Sequence, residues 1–187
     1  MPTYGIGLIF NTNSYISFVT SYEFKLVAYI IVFASTFLLP AVGSILLLNN
    51  GYMKTITMES IEERRLPFLF TTVFYSTGYY ILNSVLSLPG PIKLILIGAN
   101  ISVIIALIIN LRWKISIHMI GIGGIIGAMC GLSYRLMIDL RFEISLLILC
   151  AGAVGYARLK LKAHHPSQVY AGFLLGVLSE LILLLYF

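Results

Sequence analysis

Between Ala157 and Gly172 the chain places Arg158, Lys160 and Lys162, then the paired imidazoles His164 and His165, then Pro166, Ser167 and Gln168. Only 10% of the residues are charged, so three cations within five positions mark a place built to receive an anion. A proline is well suited to the first turn of a helix, and the free N–H groups of such a turn add to the attraction for negative charge. Two other groups of chemically capable residues lie far away in sequence. One is Glu62, Glu63, Arg64 and Arg65 before Pro67; the other is Arg112, Trp113, Lys114, Ile115, Ser116, Ile117 and His118.

The elements that must position these groups are apolar. The chain is 59% hydrophobic and its mean hydropathy is +0.99, values that belong to an integral membrane protein. No ten-residue segments alternate polar and apolar positions as membrane barrels do, so an all-α, polytopic transmembrane helical bundle is expected. Crossing a hydrocarbon core of about 30 Å takes roughly 20 helical residues. Six runs approach that length: about Leu26 to Leu48 with a kink at Pro40, Pro67 to Leu88, Ile92 to Leu111, Ile117 to Leu136, a short Ile144 to Tyr156, and Pro166 to Phe187. Residues 4 to 20 are interrupted by Asn11, Thr12, Asn13 and Ser14 and read as an interfacial or re-entrant segment. With no internal repeat or linker, residues 1 to 187 form one domain, and the N-terminus lacks the basic start and small-residue cleavage site of a removable signal peptide.

Six crossings fix sidedness without any motif. The connections at 49 to 65, 112 to 116 and 157 to 165 come after the first, third and fifth spans and share one face. That face collects eight of the twelve Lys and Arg residues and all three histidines, His118, His164 and His165. The positive-inside rule accounts for cations but not for histidines. The net charge of +5 lies in short loops between spans, which suits membrane lipids or a phosphorylated lipid and not nucleic acid. No His, Cys or Glu pair has the spacing of metal ligands on one helix, and Cys130 and Cys150 lie within apolar spans as free thiols. Gly123, Gly127 and Gly131, with Gly172 and Gly176, recur every four residues and mark two helices that pack closely. Lys160 and Lys162 read as snorkelling side chains, and Glu180, deep in the last span, as structural.

These residues resemble the type 2 phosphatidic acid phosphatase superfamily, whose motifs are written KxxxxxxRP, PSGH and SRxxxxxHxxxD. Arg158 and His164 match the third motif at its required distance, and His165, Pro166 and Ser167 resemble the residues just after its histidine. Ser116 and His118 match the second motif, with Ile115 and Ile117 in place of its Pro and Gly. Arg64, Arg65 and Pro67 resemble the end of the first, without its Lys. The resemblance implies a metal-independent phosphatase, with no cofactor, hydrolysing a lipid phosphate or isoprenoid diphosphate in a bacterial inner membrane. His164 would be the nucleophile, forming a phosphohistidine, and His118 the general acid. Arg158, Arg64, Arg65, Lys114 and Ser116 would bind the phosphate. Gln168 stands where the family has an orienting Asp, and Ala157 where it has Ser. A carboxamide oxygen can still accept from Nδ1–H but without a charge. A lipid phosphotransferase, or a non-catalytic lipid-binding or transport protein of the same fold, remain as alternatives.

Overall fold

The computed structural model describes residues 2–11, 15–55, 58 and 60–187. The polar residues Thr12, Asn13 and Ser14 and the loop residue Glu59 lie outside the described residues. The described chain is all-α: α1 (Pro2–Asn11), α2 (Tyr15–Val19), α3 (Tyr22–Asn49), α4 (Ile61–Val85), α5 (Gly90–Asn110), α6 (Ile117–Leu136), α7 (Arg141–Lys160) and α8 (Pro166–Tyr186). Five of these, α3 and α5 to α8, are long and apolar enough to cross a membrane. Hydropathy along the sequence suggests six; α4 has the length, 25 residues, but carries four charges in its first turns and Thr, Ser, Tyr and Asn along the rest.

Helix ends account for the boundaries that hydropathy alone misplaces. Hydropathy puts Pro67 in the first turn of the second span, yet α4 starts six residues before it. Ser60 caps that helix, its Oγ accepting from the Glu63 N–H at 3.2 Å while the Ser60 N–H donates to Glu63 Oε2 at 3.4 Å, a reciprocal capping box. The short fifth span, Ile144 to Tyr156, is extended to a helix of 20 residues. Glu143 lies in its first turn and Arg158 and Lys160 in its last, where each charge complements the helix dipole. Arg158 therefore sits on a helix and not in a loop. At Pro40 the irregularity is a π-helical turn over Ala34–Leu38. Proline offers no N–H and its ring crowds the carbonyl four residues back, so a wider turn just before it relieves both.

The expected pairing of the glycine-bearing helices is the main seam of the bundle. A Cβ on Gly172 would fall 2.6 Å from the Ser116 carbonyl oxygen, and one on Gly131 would fall 2.6 Å from Leu184 Cβ. Side chains at these positions would hold α6 and α8 apart. On the other flank α1 runs beside α3, with Thr3 Oγ1 3.4 Å from Thr36 Oγ1 and Phe10 edge-on to Tyr29 at 5.4 Å. Ile6, Ile9 and Phe10 are buried with Leu88, Ile92, Leu132 and Leu140. Burial of this depth fits a re-entrant segment better than an interfacial one, and it closes the end of the bundle opposite His164.

Candidate active site

One end of the bundle gathers the first turn of α4, the last residue of α5, the link into α6, the last turn of α7 and the first turn of α8. Main-chain bonds tie them together. The Arg64 Nε donates to the Met58 carbonyl at 2.9 Å and its Nη1 to the Ile115 carbonyl at 3.3 Å. The Ser116 N–H donates to the Gln168 carbonyl at 3.3 Å. Asn110 Nδ2 donates to the Ile61 carbonyl at 3.2 Å.

His164 sits within this frame and is 7% exposed. Its Nδ1 lies 3.2 Å from the Lys114 carbonyl oxygen and 3.2 Å from Gln168 Oε1. That same Oε1 accepts from the His165 N–H at 3.1 Å. Both neighbours of Nδ1 are acceptors, so Nδ1 carries the proton and shares it between them. Nε2 is left with its lone pair and, among the described residues, no hydrogen-bond partner. Burial pushes the imidazole down to about 4; the Gln168 and Lys114 hydrogen bonds oppose this, and the Arg64 and Arg158 charges add to it. The ring is thus neutral at pH 7, the form in which an imidazole nitrogen can attack an electrophile.

Among the described residues the charges around it have no carboxylate partner. Arg64 is 4% exposed, and its hydrogen bonds go to carbonyls. Arg158 is half-buried, and its Nε has no partner among the described residues. Both charges act on His164 and on His118. Among the described residues no carboxylate bonds to either guanidinium; the Arg141–Asp139 pair, at 2.7 Å, is exposed at the other end of the bundle. Ser116 is completely buried, and among the described residues its Oγ neither caps α6 nor finds another partner. Two guanidinium groups, a free hydroxyl and a neutral imidazole so arranged match a phosphoryl group, whose oxygens guanidinium binds in bidentate fashion.

Of the residues singled out by sequence, His164, Gln168, Arg158, Arg64 and Ser116 come together, and His118, exposed at the start of α6, lies within reach of the Arg64 and Arg158 charges. Arg65 does not: one residue beyond Arg64 it is turned by about 100° and is exposed. Lys114 meets His164 through its carbonyl oxygen. His165, Lys160 and Lys162 are exposed, with Lys160 Nζ 5.6 Å from the Tyr156 ring. Asn110 was missed, although an asparagine ending an otherwise apolar span was its visible signal. His118 lines one end of a cavity of about 360 Å³ that runs along α5 and α6, with Tyr75 of α4, Phe37 of α3 and Glu180 of α8 also in its wall, to Pro2 and Gly5 of α1. Comparison of the chain with protein-family models, curated proteins and solved structures found no match.

Proposed function

We propose that this integral membrane protein is a phosphatase acting on a lipid phosphate or isoprenoid diphosphate through a phosphohistidine at His164. The observation that carries this reading is the tautomer of His164: Nδ1–H held by two acceptors and, among the described residues, Nε2 unengaged and under the charge of two guanidinium groups that have no carboxylate partner. The phosphoryl oxygens bind Arg64 and Arg158, with the Ser116 hydroxyl as a further donor. Nε2 attacks phosphorus, the P–O bond to the leaving group breaks, and the departing oxygen, an alkoxide from a monophosphate or a lipid phosphate from a diphosphate, takes a proton from the His118 imidazolium. Water then attacks the phosphohistidine as neutral His118 accepts its proton. The P–N bond breaks, its electron pair returns to Nε2, and inorganic phosphate leaves. The arginines stabilise charge spread over the equatorial oxygens, the work a metal performs in other phosphoryl-transfer sites. The apolar cavity beginning at His118 would take the lipid chain. A bacterial inner membrane, with the site on the periplasmic face, belongs to the same proposal.

Purified protein in detergent, offered lipid phosphates and diphosphates with and without EDTA, tests it. Inorganic phosphate release that EDTA leaves unchanged and His164→Ala abolishes is the expected result. EDTA-sensitive release, or release that survives His164→Ala, overturns the mechanism. Transfer of phosphate to an added alcohol in place of water identifies a phosphotransferase. Lipid binding without turnover identifies a binding or transport protein.

A further inference from the structure

Glu180 is absent from this chemistry, and its setting is not that of a structural residue. It is 3% exposed, and its Oε2 has no hydrogen-bond partner among the described residues. A carboxyl in the interior of a membrane bundle is costly unless paired. Two glycines make room for this one: a Cβ on Gly98 of α5 would fall 2.6 Å from Oε2, and one on Gly124 of α6 would fall 3.7 Å from Cγ. The carboxyl forms part of the wall of the cavity that begins at Ile117 and His118 and ends against Pro2, Gly5 and Ile95. Ser102, 2.5 Å from the Ser179 hydroxyl, shares that wall. Most of the remaining lining is apolar. The six steps along α6 from His118 to Gly124 rise about 9 Å. The polar group therefore stands partway down an otherwise hydrocarbon-lined slot, with apolar wall above and below it.

We propose that the cavity holds the chain of the lipid substrate and that Glu180 hydrogen-bonds a hydroxyl group carried partway along that chain. This rests on the reading that the phosphate binds at Arg64 and Arg158, which puts the head group at the His118 end. A hydroxyl both donates and accepts, so it pairs with a carboxyl in either role. A chain ammonium is the poorer match, because it requires desolvating two charges inside the bilayer. A plain chain fills the slot but leaves Oε2 unpaired, and a buried unpaired group weighs more than a made bond.

The test uses alkyl monophosphates of one chain length, either unsubstituted or with a single hydroxyl moved stepwise along the chain. The matching non-hydrolysable phosphonates are assayed as ligands by the shift in thermal unfolding they cause. Wild type is expected to prefer one mid-chain position over the plain chain by about tenfold, the effect of one hydrogen bond of ordinary strength. Glu180→Leu should remove the preference and bind the plain chain at least as well, while Glu180→Gln should keep it. Gly98→Ala, whose Cβ would displace Oε2, gives a second route to the same loss if Glu180→Leu fails to fold. Equal response to all positions, a preference that survives both Glu180→Leu and Gly98→Ala, or stronger binding of an amine-bearing chain overturns the inference. A hydroxyl preference in phosphonate binding without phosphate release supports the inference and sinks the phosphatase reading. Release without any positional preference does the reverse.

Discussion

A carboxamide holds the Nδ1–H of His164, and a carboxamide carries no charge. Burial, which the Gln168 hydrogen bond only partly offsets, holds the imidazole at about 4, below its ordinary 6.5, and the attacking neutral form persists as pH falls to that value. The acid limb of kcat/KM belonging to His164 is therefore expected near pH 4. Gln168→Glu keeps the shape but puts an anion beside Nδ1, which favours the protonated ring. The acid limb should then move up toward neutrality, and kcat should rise, because the phosphorylated imidazole is cationic. An acid limb unchanged by Gln168→Glu would remove His164 from the reacting group. The two arginines separate by what else they hold. Arg64 supports the Met58 and Ile115 carbonyls, so Arg64→Ala should lower both activity and thermal stability. Arg158 Nε has no partner among the described residues, so Arg158→Ala should leave the melting temperature near wild type while kcat/KM falls about 10²–10³-fold, as for loss of one donor to a developing anion. Arg65→Ala should match wild type in both. A stability loss for Arg158→Ala equal to that for Arg64→Ala would contradict this division.

The elements were legible where composition alone decides them. The apolar runs of α5, α6 and α8 are nearly continuous, and their ends fall within two residues of the expected positions. What composition does not carry is rotation and capping. The choice between Arg64 and Arg65 depends on where α4 begins, and that depends on the Ser60–Glu63 box, which reads in sequence as a polar loop. The Lys114 carbonyl could not be found from side-chain types, since every residue has one. Arg158, His164 and Gln168 were legible because fixed spacing across one short turn and two helix ends preserves their geometry. The seam of α6 with α8 was legible because small residues every four positions have few other uses in lipid. It also carries a prediction. Gly176 faces the Ile120 carbonyl, whereas Gly152 of α7 has nothing within 4 Å of an added Cβ. Gly176→Val should prevent recovery of folded protein or depress its melting temperature by many degrees. Gly152→Ala should leave it unchanged or raise stability by up to about 1 kcal/mol through helix propensity. Equal tolerance of both would mean the helices do not meet as described.

At the scale of the whole molecule, the two ends of the bundle differ in chemistry more than in charge count. The site end holds Lys54, Arg64, Arg65, Arg112, Lys114, Arg158, Lys160 and Lys162, against Lys25, Lys93, Arg135 and Arg141 at the other. Setting aside Arg64, Arg158 and Lys114 as parts of the site leaves five against four, too even to orient the chain by the distribution of basic residues. Shared sidedness of the distant segments is the firmer statement, since hydrogen bonds join Arg64 to residue 115 and His164 to residue 114. Single cysteines test it in a background lacking Cys130 and Cys150. Tyr52→Cys, Arg112→Cys and Leu161→Cys, at exposed positions of the site end, should all react with a membrane-impermeant thiol reagent from the same side. Tyr22→Cys and Met137→Cys, 75% and 88% exposed in the native chain at the opposite end, should react only from the other. The periplasmic orientation proposed for the site requires the first group to label in intact cells and the second only after the membrane is opened. The reverse assignment would move the reaction to the cytoplasmic leaflet and leave the mechanism intact. Labelling of Tyr52→Cys and Leu161→Cys from opposite sides would instead break the site, because Arg64 and His164 could not then meet a common phosphate.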